Sequence, residues 1–313
     1  MLKKTNIKKT KKTVIIVGYS CNNNCRFCIG SDKRDLINKN TIQIEQEMVD
    51  ARERGTTYLE FIGGETTIRS DFIHLVKFAK YLEFETIMIA TNGRRLSYPD
   101  YAKKLISAGL NSIVFSIHGH NAKEHDFLTR VDGSFDQLMK GFKNVKKLLG
   151  IKRIGSNTTI VKKNLKNIEK IGAMIYKLGI RNSEFIFVDC NEGGAYDNFY
   201  EFVPRISKAA PYIRKCLDIG KKNGAAHWHV RYVPLCYFTE YLDQISELME
   251  VKHFQTEHFA PDFINLDVEG SRPKLARIKT KKCQKCKLFN QCEGIWRTYY
   301  KHYGDKELKP ILK

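Results

Sequence analysis

The fold is decided by one stretch, Gly18-Tyr19-Ser20-Cys21-Asn22-Asn23-Asn24-Cys25-Arg26-Phe27-Cys28, in which three thiols lie within eight residues. It directly follows the apolar run Val14–Val17, which predicts a buried strand, so the thiols occupy the loop at its C-terminal end. Thiolates are the usual ligands of iron–sulfur clusters, and a loop with this spacing can wrap around one four-iron cluster. Three ligands would leave one iron free to bind another molecule. A zinc site or three incidental thiols are the alternatives, but structural zinc usually takes four protein ligands, and no His or fourth Cys is close in sequence.

Further apolar runs predict that this loop belongs to a larger α/β fold. Stretches with helical spacing separate the runs, and strands that alternate with helices indicate βαβ units and a parallel sheet. Six such units precede residue 190, fewer than the eight of a closed barrel of ~250 residues. A partial (β/α)6 TIM-like barrel and an open doubly wound sheet both fit, and both place chemistry on loops at the C-terminal strand ends. The runs after the first are Tyr58–Ile62, Thr86–Ala90, Ser112–Ile117, Asn157–Val161 and Glu184–Val188.

The pattern changes after Cys190, where a polar loop precedes a predicted helix from about Val203 to Lys222. The remainder combines aromatic residues, prolines and four more Cys. Such a segment has little core of its own and commonly needs a metal to hold it together. The sequence therefore predicts a basic N-terminal extension at 1–12, a barrel at 13–222 and a small C-terminal cysteine-rich subdomain at 223–313.

Composition restricts the class of protein further. The chain has 313 residues, a formal net charge of +20 and nine Cys, an odd number that argues against a simple secreted disulfide framework. No run approaches the ~18 apolar residues of a membrane span, and no signal-peptide core follows the six Lys of residues 1–12. We therefore expect a soluble, cytoplasmic protein with no membrane partner. Ten basic residues against one acid in 140–170, and nine against three in 281–313, can attract RNA or an acidic peptide, although no nucleic-acid-binding module is recognisable.

Two motifs together resemble a known family, the radical S-adenosylmethionine (SAM) superfamily. The first is Cys-x3-Cys-x2-Cys just after the first strand, with Phe27 before the last Cys. The second follows one βα unit later, where Gly63-Gly64-Glu65 matches the family's Gly-Gly-Glu motif, which contacts the methionine amine of SAM. Alone this motif would indicate only a tight turn, but Gly lets a backbone approach closely and a carboxylate can accept from an ammonium. The resemblance implies a partial barrel with a [4Fe–4S] cluster on Cys21, Cys25 and Cys28.

Further matches follow in chain order over about residues 13–190. Thr91-Asn92-Gly93 ends the third strand, and Ser116-Ile117-His118-Gly119 ends the fourth, where relatives often have Asp in place of His118. By similarity, Ser116 lies near the SAM ribose, Arg130 near the SAM carboxylate, and the backbone of Val188 near adenine. The SAM-binding residues that the resemblance implies are Phe27, Gly63, Gly64, Glu65, Asn92, Ser116, Arg130 and Val188.

The C-terminal cysteines resemble those of SPASM and twitch subdomains, which hold auxiliary [4Fe–4S] clusters. Cys283, Cys286 and Cys292 have the spacing Cys-x2-Cys-x5-Cys, and Cys236 lies upstream. A full SPASM run has a further Cys four residues after the third, where this chain has Trp296. The resemblance therefore implies one auxiliary [4Fe–4S] cluster on these four thiols, and a four-Cys zinc site is the alternative.

Other reactive side chains have simpler interpretations. Cys190 and Cys216 are expected to be small buried residues, although Cys190 could donate a hydrogen atom or bind substrate. His118 is expected to be a satisfied loop histidine, with substrate binding or proton transfer as the alternative. The alternation His227-Trp228-His229 predicts a packed strand with both His on one face, with a second metal site as the alternative.

The resemblance implies an enzyme that cleaves SAM reductively to a 5′-deoxyadenosyl radical, which abstracts a hydrogen atom from the substrate. The cofactors supply this chemistry, so no catalytic residue beyond the cluster and SAM is implied. The tail favours modification of a peptide or protein, as in ribosomal peptide maturation, with a flavodoxin or ferredoxin as reductant. The alternatives are small-molecule or cofactor biosynthesis, then tRNA modification. From another class, a non-catalytic iron–sulfur or zinc module could bind nucleic acid, although such a module has no need for a SAM pocket.

Overall fold

A computed structural model describes residues 9–225 and 227–312 of the chain. Of the predicted extension at 1–12, residues 1–8 lie outside the described part, and the first strand begins at Thr10. The strands are β1 Thr10–Ile16, β2 Tyr58–Ile62, β3 Thr86–Thr91, β4 Ser112–Ser116, β5 Ile154–Ile160, β6 Asn182–Phe187, β7 His227–Arg231, β8 Phe254–Phe259, β9 Ile264–Asn265, β10 Arg277–Ile278 and β11 Ile295–Trp296. The helices are α1 Thr41–Glu53, α2 Phe72–Tyr81, α3 Pro99–Ser107, α4 Ala122–Thr129, α5 Ser134–Leu149, α6 Ile168–Leu178, α7 Gly193–Asp197, α8 Phe199–Phe202, α9 Ile206–Lys222, α10 Ser246–His253, α11 Val268–Leu275 and α12 Arg297–Tyr303.

The predicted partial barrel is confirmed. Strands β1 to β6 lie side by side in chain order, and each pairs in parallel with the next. A doubly wound sheet reverses its strand order at a switch point. The order from β1 to β6 never reverses, so the open-sheet alternative is wrong. All six strands lie where the apolar runs predict them, and the predicted helix near 203–222 is α9.

Within the described residues, the barrel sheet contains more strands than the six that the sequence predicts. Strand β7 pairs with β6, strand β8 pairs with β1, and the short β9 runs antiparallel to β8. Both β7 and β8 come from the region after residue 222, so this part of the chain contributes directly to the barrel sheet. The boundary at 222 stays a prediction. Cys236 lies between β7 and β8, and Cys283, Cys286 and Cys292 follow β8, near the two-stranded β10–β11 sheet.

Helices pack on one side of the sheet through the apolar faces that their spacing predicts. In α2, four side chains are fully buried, and the ring of Phe72 meets that of Phe61 on β2 edge-on at 5.5 Å. Burying a side chain of this size stabilises the fold by about 1.5–3 kcal/mol. The four residues are Phe72, Leu75, Val76 and Ala79.

This packing fixes the carboxyl ends of the parallel strands along one edge of the barrel, and the cysteine loop 18–28 lies at that edge.

Among the described residues, no helix combines the length and apolar character needed to cross a membrane.

Candidate functional site

Three thiols lie half-buried in the cysteine loop, and backbone hydrogen bonds hold the loop to its neighbours. Asn24 N donates to Thr129 O at 2.9 Å, and Arg26 N donates to Leu128 O at 3.0 Å, so the loop is tied to the end of α4. Burial raises the pKa of Cys21 to about 11, and the charges of Glu65 and Cys28 contribute. Burial, followed by the charges of Cys28 and Cys21, also raises the pKa of Cys25. The three thiols are thus close enough to interact, and a bound metal would favour the thiolate forms of Cys21 and Cys25.

Gly63 and Gly64 follow β2 and press against the backbone that precedes Cys21. A Cβ at Gly63, where φ is +137°, would lie 2.3 Å from Gly18 O, and one at Gly64 would lie 2.0 Å from Ser20 O. In this contact, Gly64 N donates to Gly18 O and Glu65 N donates to Ser20 O, each at 2.9 Å. Any side chain at these positions would separate the two loops, which explains the Gly-Gly pair physically.

The Glu65 carboxylate points into the protein. Its exposed fraction is 2%, and both oxygens accept hydrogen bonds from the chain. Oε1 accepts from the Thr67 and Thr91 hydroxyls, and Oε2 accepts from Asn92 N at 2.7 Å. Burial raises the pKa of Glu65, and these hydrogen bonds oppose that effect. The side chain joins the ends of β2 and β3, and the sequence does not reveal this orientation.

Asn92 connects the end of β3 to the cysteine loop. Its Nδ2 donates to Asn22 Oδ1 at 2.7 Å and lies 3.9 Å from Cys21 Sγ. Arg94, which the sequence analysis missed, donates to Asn22 O and also to Asn23 Oδ1 at 3.0 Å. Arg94 directly follows Thr91-Asn92-Gly93, and its position in the sequence does not by itself predict this contact.

Phe27 and His118 pack against each other beneath the loop. Phe27 is 7% exposed, and its ring meets the His118 ring edge-on at 4.9 Å. His118 Nδ1 accepts from Thr159 N at 3.2 Å, so the ring proton lies on Nε2. Burial, with a contribution from His125, lowers the pKa of His118 to about 3, and the ring is therefore neutral at pH 7. This hydrogen bond fits the interpretation of His118 as a satisfied loop histidine.

Ser116 and Arg130 lie on successive elements beside the same edge. Ser116 ends β4, is half-buried, and is in register with Asn157 of β5. Arg130 directly follows Thr129, whose carbonyl binds the cysteine loop. Its exposed side chain lines a cavity of about 560 Å³ together with Arg26.

Val188 follows β6, and the C-terminal region covers its backbone. Val188 is 0% exposed, and its N donates to Ile160 O at 3.2 Å. Its carbonyl accepts from Trp296 Nε1 at 3.1 Å. Trp296 stands where a full SPASM run has Cys, and its buried indole contacts the Arg277 guanidinium at 4.4 Å. The residue that departs from the family pattern thus joins the tail to the predicted adenine site.

A glycine pair after β6 also supports the cysteine loop, and sequence analysis identified it only as part of a polar loop. Gly194 N donates to Cys28 O at 2.9 Å. A Cβ at Gly193 would lie 2.3 Å from Cys28 O, and one at Gly194 would lie 2.3 Å from Arg26 O. The adjacent glycines were the available signal, because they permit the same close approach as Gly63-Gly64.

The four C-terminal thiols form a second group. Burial raises the pKa of Cys236 to about 11, with contributions from the charges of Cys292, Cys283 and Cys286. Backbone N–H groups point at the sulfurs: Gly294 N lies 3.3 Å from Cys292 Sγ, and Ile311 N lies 3.4 Å from Cys286 Sγ. Within residues 9–225 and 227–312, no three His, Cys, Asp or Glu side chains converge closely enough to hold a single metal ion.

The other candidate residues pack as their simpler interpretations predict. Cys190 and Cys216 are fully buried. Trp228 of β7 donates to Cys216 O at 2.9 Å. The neighbouring His227 and His229 rings are 5.7 Å apart, centre to centre. The strand interpretation of this segment is confirmed.

Comparisons with known proteins agree with this arrangement. A family model described as Radical SAM superfamily matches residues 15–175, which are 161 of the 313 residues. A probable GTP 3′,8-cyclase from Saccharolobus solfataricus is 28% identical over 222 residues, which cover 70% of this chain and 69% of that protein.

Two solved structures share the fold over nearly the whole chain. Streptococcus suis SuiB bound to precursor peptide SuiA has a TM-score of 0.65 and 15% identity, covering 95% of this chain and 74% of that chain. The anSMEcpe protein with bound AdoMet and Cp18Cys peptide has a TM-score of 0.67 and 14% identity, covering 97% of this chain and 92% of that chain.

Proposed function

The chain belongs to the radical SAM superfamily, and on that premise we propose that its cysteine loop holds the [4Fe–4S] cluster through Cys21, Cys25 and Cys28. When bound, the cluster and SAM supply reductive cleavage of the sulfonium to a 5′-deoxyadenosyl radical, which abstracts hydrogen from the substrate. One observation carries the proposal: three interacting thiols lie at the carboxyl edge of the barrel, against a backbone pressed close by Gly63 and Gly64.

The chain's own residues would bind and orient the cofactors rather than transfer protons. Asn92 holds the Asn22 side chain beside Cys21, and Glu65 N donates to the Ser20 carbonyl on the other side of Cys21. We propose that two groups contact the nucleoside of SAM: the Ser116 hydroxyl at the end of β4, and the Val188 carbonyl after β6, which keeps a second lone pair beside the hydrogen bond from Trp296. Exposed Arg130 supplies a positive charge for a carboxylate. Phe27 and neutral His118 exclude water beneath the loop.

We also propose that Cys236, Cys283, Cys286 and Cys292 hold one auxiliary [4Fe–4S] cluster. Their mutual charge effects and the N–H groups directed at the sulfurs support this, because hydrogen bonds to sulfur are characteristic of such clusters. Metal analysis separates this proposal from a zinc site.

The proposed substrate is a peptide or protein. The peptide-bound structures of similar fold support this class, since nearly all of this chain aligns with each. A small-molecule substrate is the second candidate, favoured by the 28% identity to a probable GTP 3′,8-cyclase. Incubation with GTP and, separately, with a peptide encoded beside the gene tests both classes. The true substrate should increase 5′-deoxyadenosine formation and be altered in mass.

Anaerobic reconstitution tests the core of the proposal. We expect about eight iron atoms per chain, the content of two [4Fe–4S] clusters, and 5′-deoxyadenosine after addition of dithionite. Replacing Cys21, Cys25 and Cys28 by Ala should abolish that product. Replacing Cys283 and Cys286 should lower iron while leaving SAM cleavage partly intact. Zinc alone, with no adenosyl product from the wild type, would refute the proposed function.

A further inference from the structure

Two adjoining segments of the chain expose several large apolar side chains. One is the continuation of the cysteine loop, residues 29–37, and the other is the segment 263–266 around β9. They lie side by side, because Lys33 Nζ is 3.1 Å from Asp262 Oδ2 and Lys39 Nζ donates to Phe259 O at 2.8 Å. We call the surface that they form the apolar edge. Its exposed apolar residues are Ile29, Leu36, Ile37, Phe263, Ile264 and Leu266.

Strand β9 offers a free backbone edge at this surface. It is the outermost strand of the sheet, and no described strand lies on its other side. Ile264 is opposite Phe259 of β8, and Ala260 N donates to Phe263 O at 2.9 Å. In an antiparallel pair, residues bonded to the partner strand alternate with residues whose N–H and C=O point away from it. Phe263 bonds to the β8 side, so the N–H and C=O of Ile264 point to the free edge, which is a template for another extended chain.

Exposed acids flank the apolar edge, although the chain as a whole has a net charge of +20. Asp32, Asp35 and Asp267 are exposed. The two cations of segment 29–37 are already engaged: Lys33 lies between two carboxylates, at 2.7 and 3.1 Å, and Arg34 donates to a backbone carbonyl at 2.9 Å. Charge complementarity therefore favours a partner with basic side chains. An exposed apolar patch of this kind commonly marks an interaction site.

The apolar edge borders the side of the barrel that carries the cysteine loop. Segment 29–37 begins directly after Cys28, and β9 lies beside the carboxyl end of β8. The Tyr19 hydroxyl in the cysteine loop donates to Asp262 Oδ1 in the β8–β9 turn. A chain seated along β9 therefore lies next to the mouth of the barrel.

We propose that the apolar edge binds an extended segment of the peptide substrate, with alternating apolar and basic side chains, as an added strand on β9. This inference rests on the proposed function, in which the substrate is a peptide. Main-chain hydrogen bonds with Ile264 supply affinity, and alternate side chains of the added strand supply specificity. Its apolar side chains pack on Ile264 and Leu266, and its basic ones lie near Asp35 and Asp267. The bound segment stays outside the barrel and leaves the neighbouring part of the substrate free to enter it.

The test measures peptide binding to the reconstituted full chain by anaerobic isothermal titration calorimetry. The probe is a synthetic peptide of four Lys-Val repeats, and a peptide of four Glu-Val repeats is its charge-reversed counterpart. Ile264→Pro removes the N–H at the free edge, and an edge strand tolerates Pro where that N–H faces solvent. Its matched control is Ile264→Val, which keeps the N–H and an apolar side chain. Asp35→Lys reverses an exposed charge of the apolar edge, with exposed Glu53→Lys on α1 as control.

We expect wild type to bind the Lys-Val peptide at least about tenfold more tightly than the Glu-Val peptide, against the attraction of the chain's net positive charge. Ile264→Pro and Asp35→Lys should each weaken this binding by roughly five- to tenfold, because one removes a main-chain hydrogen bond and the other an opposite charge. Both controls should bind as wild type. With the peptide encoded beside the gene as substrate, Ile264→Pro should raise KM and leave kcat unchanged.

Three results would overturn the proposal. They are equal Kd values in wild type, Ile264→Pro and Asp35→Lys, tighter binding of the Glu-Val peptide, and dimers in sedimentation velocity that Ile264→Pro abolishes, since the apolar edge would then bind a second copy of the chain. If Ile264→Pro does not fold, Asp35→Lys decides by the same comparison. Absence of 5′-deoxyadenosine from wild type with dithionite would instead refute the proposed function.

Discussion

Replacing Trp296 by Phe removes one buried hydrogen bond while leaving an aromatic ring beside Arg277. Trp296 Nε1 donates to Val188 O at 3.1 Å, and the two residues are 2% and 0% exposed. A buried carbonyl that loses its donor costs about 1–3 kcal/mol. Val188 is the predicted backbone contact for adenine, so part of this cost should appear in SAM binding. If about 1.4 kcal/mol does so, the Kd for SAM rises about tenfold.

The other tryptophan provides a matched control. Trp228 is 1% exposed, and its Nε1 donates to Cys216 O at 2.9 Å between β7 and α9. Trp228→Phe therefore removes the same kind of hydrogen bond from a different part of the fold. We expect both variants to lose a similar free energy of unfolding, measured by urea titration. Only Trp296→Phe should weaken SAM binding, measured by anaerobic equilibrium dialysis on the reconstituted protein.

Either of two outcomes would contradict a role of Trp296 in SAM binding. An unchanged SAM Kd in Trp296→Phe would mean that the indole does not position the end of β6. An equal rise in Kd for both variants would mean that SAM binding follows overall stability rather than this hydrogen bond.

Three further changes test other parts of the structure. Gly64→Ala puts a methyl group 2.0 Å from Ser20 O, and overpacking of about 1–3 kcal/mol should cost the radical site its iron while auxiliary iron remains. The control is Gly133→Ala, which strains a backbone with φ +75° by roughly 1–2 kcal/mol but adds a methyl that contacts nothing within 4 Å. Equal iron loss in both variants would mean that iron retention follows overall stability. Burial raises the pKa of Glu247 to about 7, so the stability that neutral Glu247 contributes is complete below pH 4.5 and is lost as pH rises through 7. Urea titrations from pH 5 to 8 should show a fall of about 3 kcal/mol in wild type and a smaller one in Glu247→Gln, and parallel curves would exclude Glu247 as the cause. Ile311→Pro removes the N–H at 3.4 Å from Cys286 Sγ, and this loss should make the reduction potential of the auxiliary cluster more negative. A spectroscopic redox titration measures this potential, with the potential of the radical-site cluster as internal control. An unchanged auxiliary potential would argue against this hydrogen bond.

Local patterns made much of the fold predictable from sequence. Each of the six barrel strands contains a short apolar run, and these runs predict where the strands lie. Burial alternates along β2, β4 and β6, so one face of each of these strands is fully buried and the other is only partly buried. Strand β8 escaped prediction because Phe254–Phe259 reads Phe-Gln-Thr-Glu-His-Phe, with polar residues at its centre. Its place beside β1 depends on pairing across more than 200 residues, as between Thr10 and Phe254. No local spacing encodes such a pairing.

In the candidate site, too, local patterns predict the position of the backbone but not the contacts of the side chains. Cysteine spacing and the Gly-Gly pair are local, and they identify the loop. The direction of a side chain is not local: the sequence allows Glu65 to face an ammonium, yet its carboxylate binds Thr91 and Asn92 inside the protein. Trp296 and Val188 are 108 residues apart, so neither motif reveals their hydrogen bond.

Paired charges join the C-terminal cysteines to the barrel in addition to a shared apolar core, which includes Leu235, Leu288 and Trp296. An alternating ionic chain runs through Glu184, Arg231, Glu250, Arg272 and Glu293. It begins on β6 and ends at the residue after Cys292, with distances of 2.9 Å at Arg231–Glu184 and 2.8 Å at Arg272–Glu293. The side chains of this ionic chain are 8% to 28% exposed, so removing one partner should cost less than the roughly 3–5 kcal/mol that breaking a fully buried pair costs. Arg231 and Arg272 therefore help to hold the segment that carries Cys292 against β6 and β7.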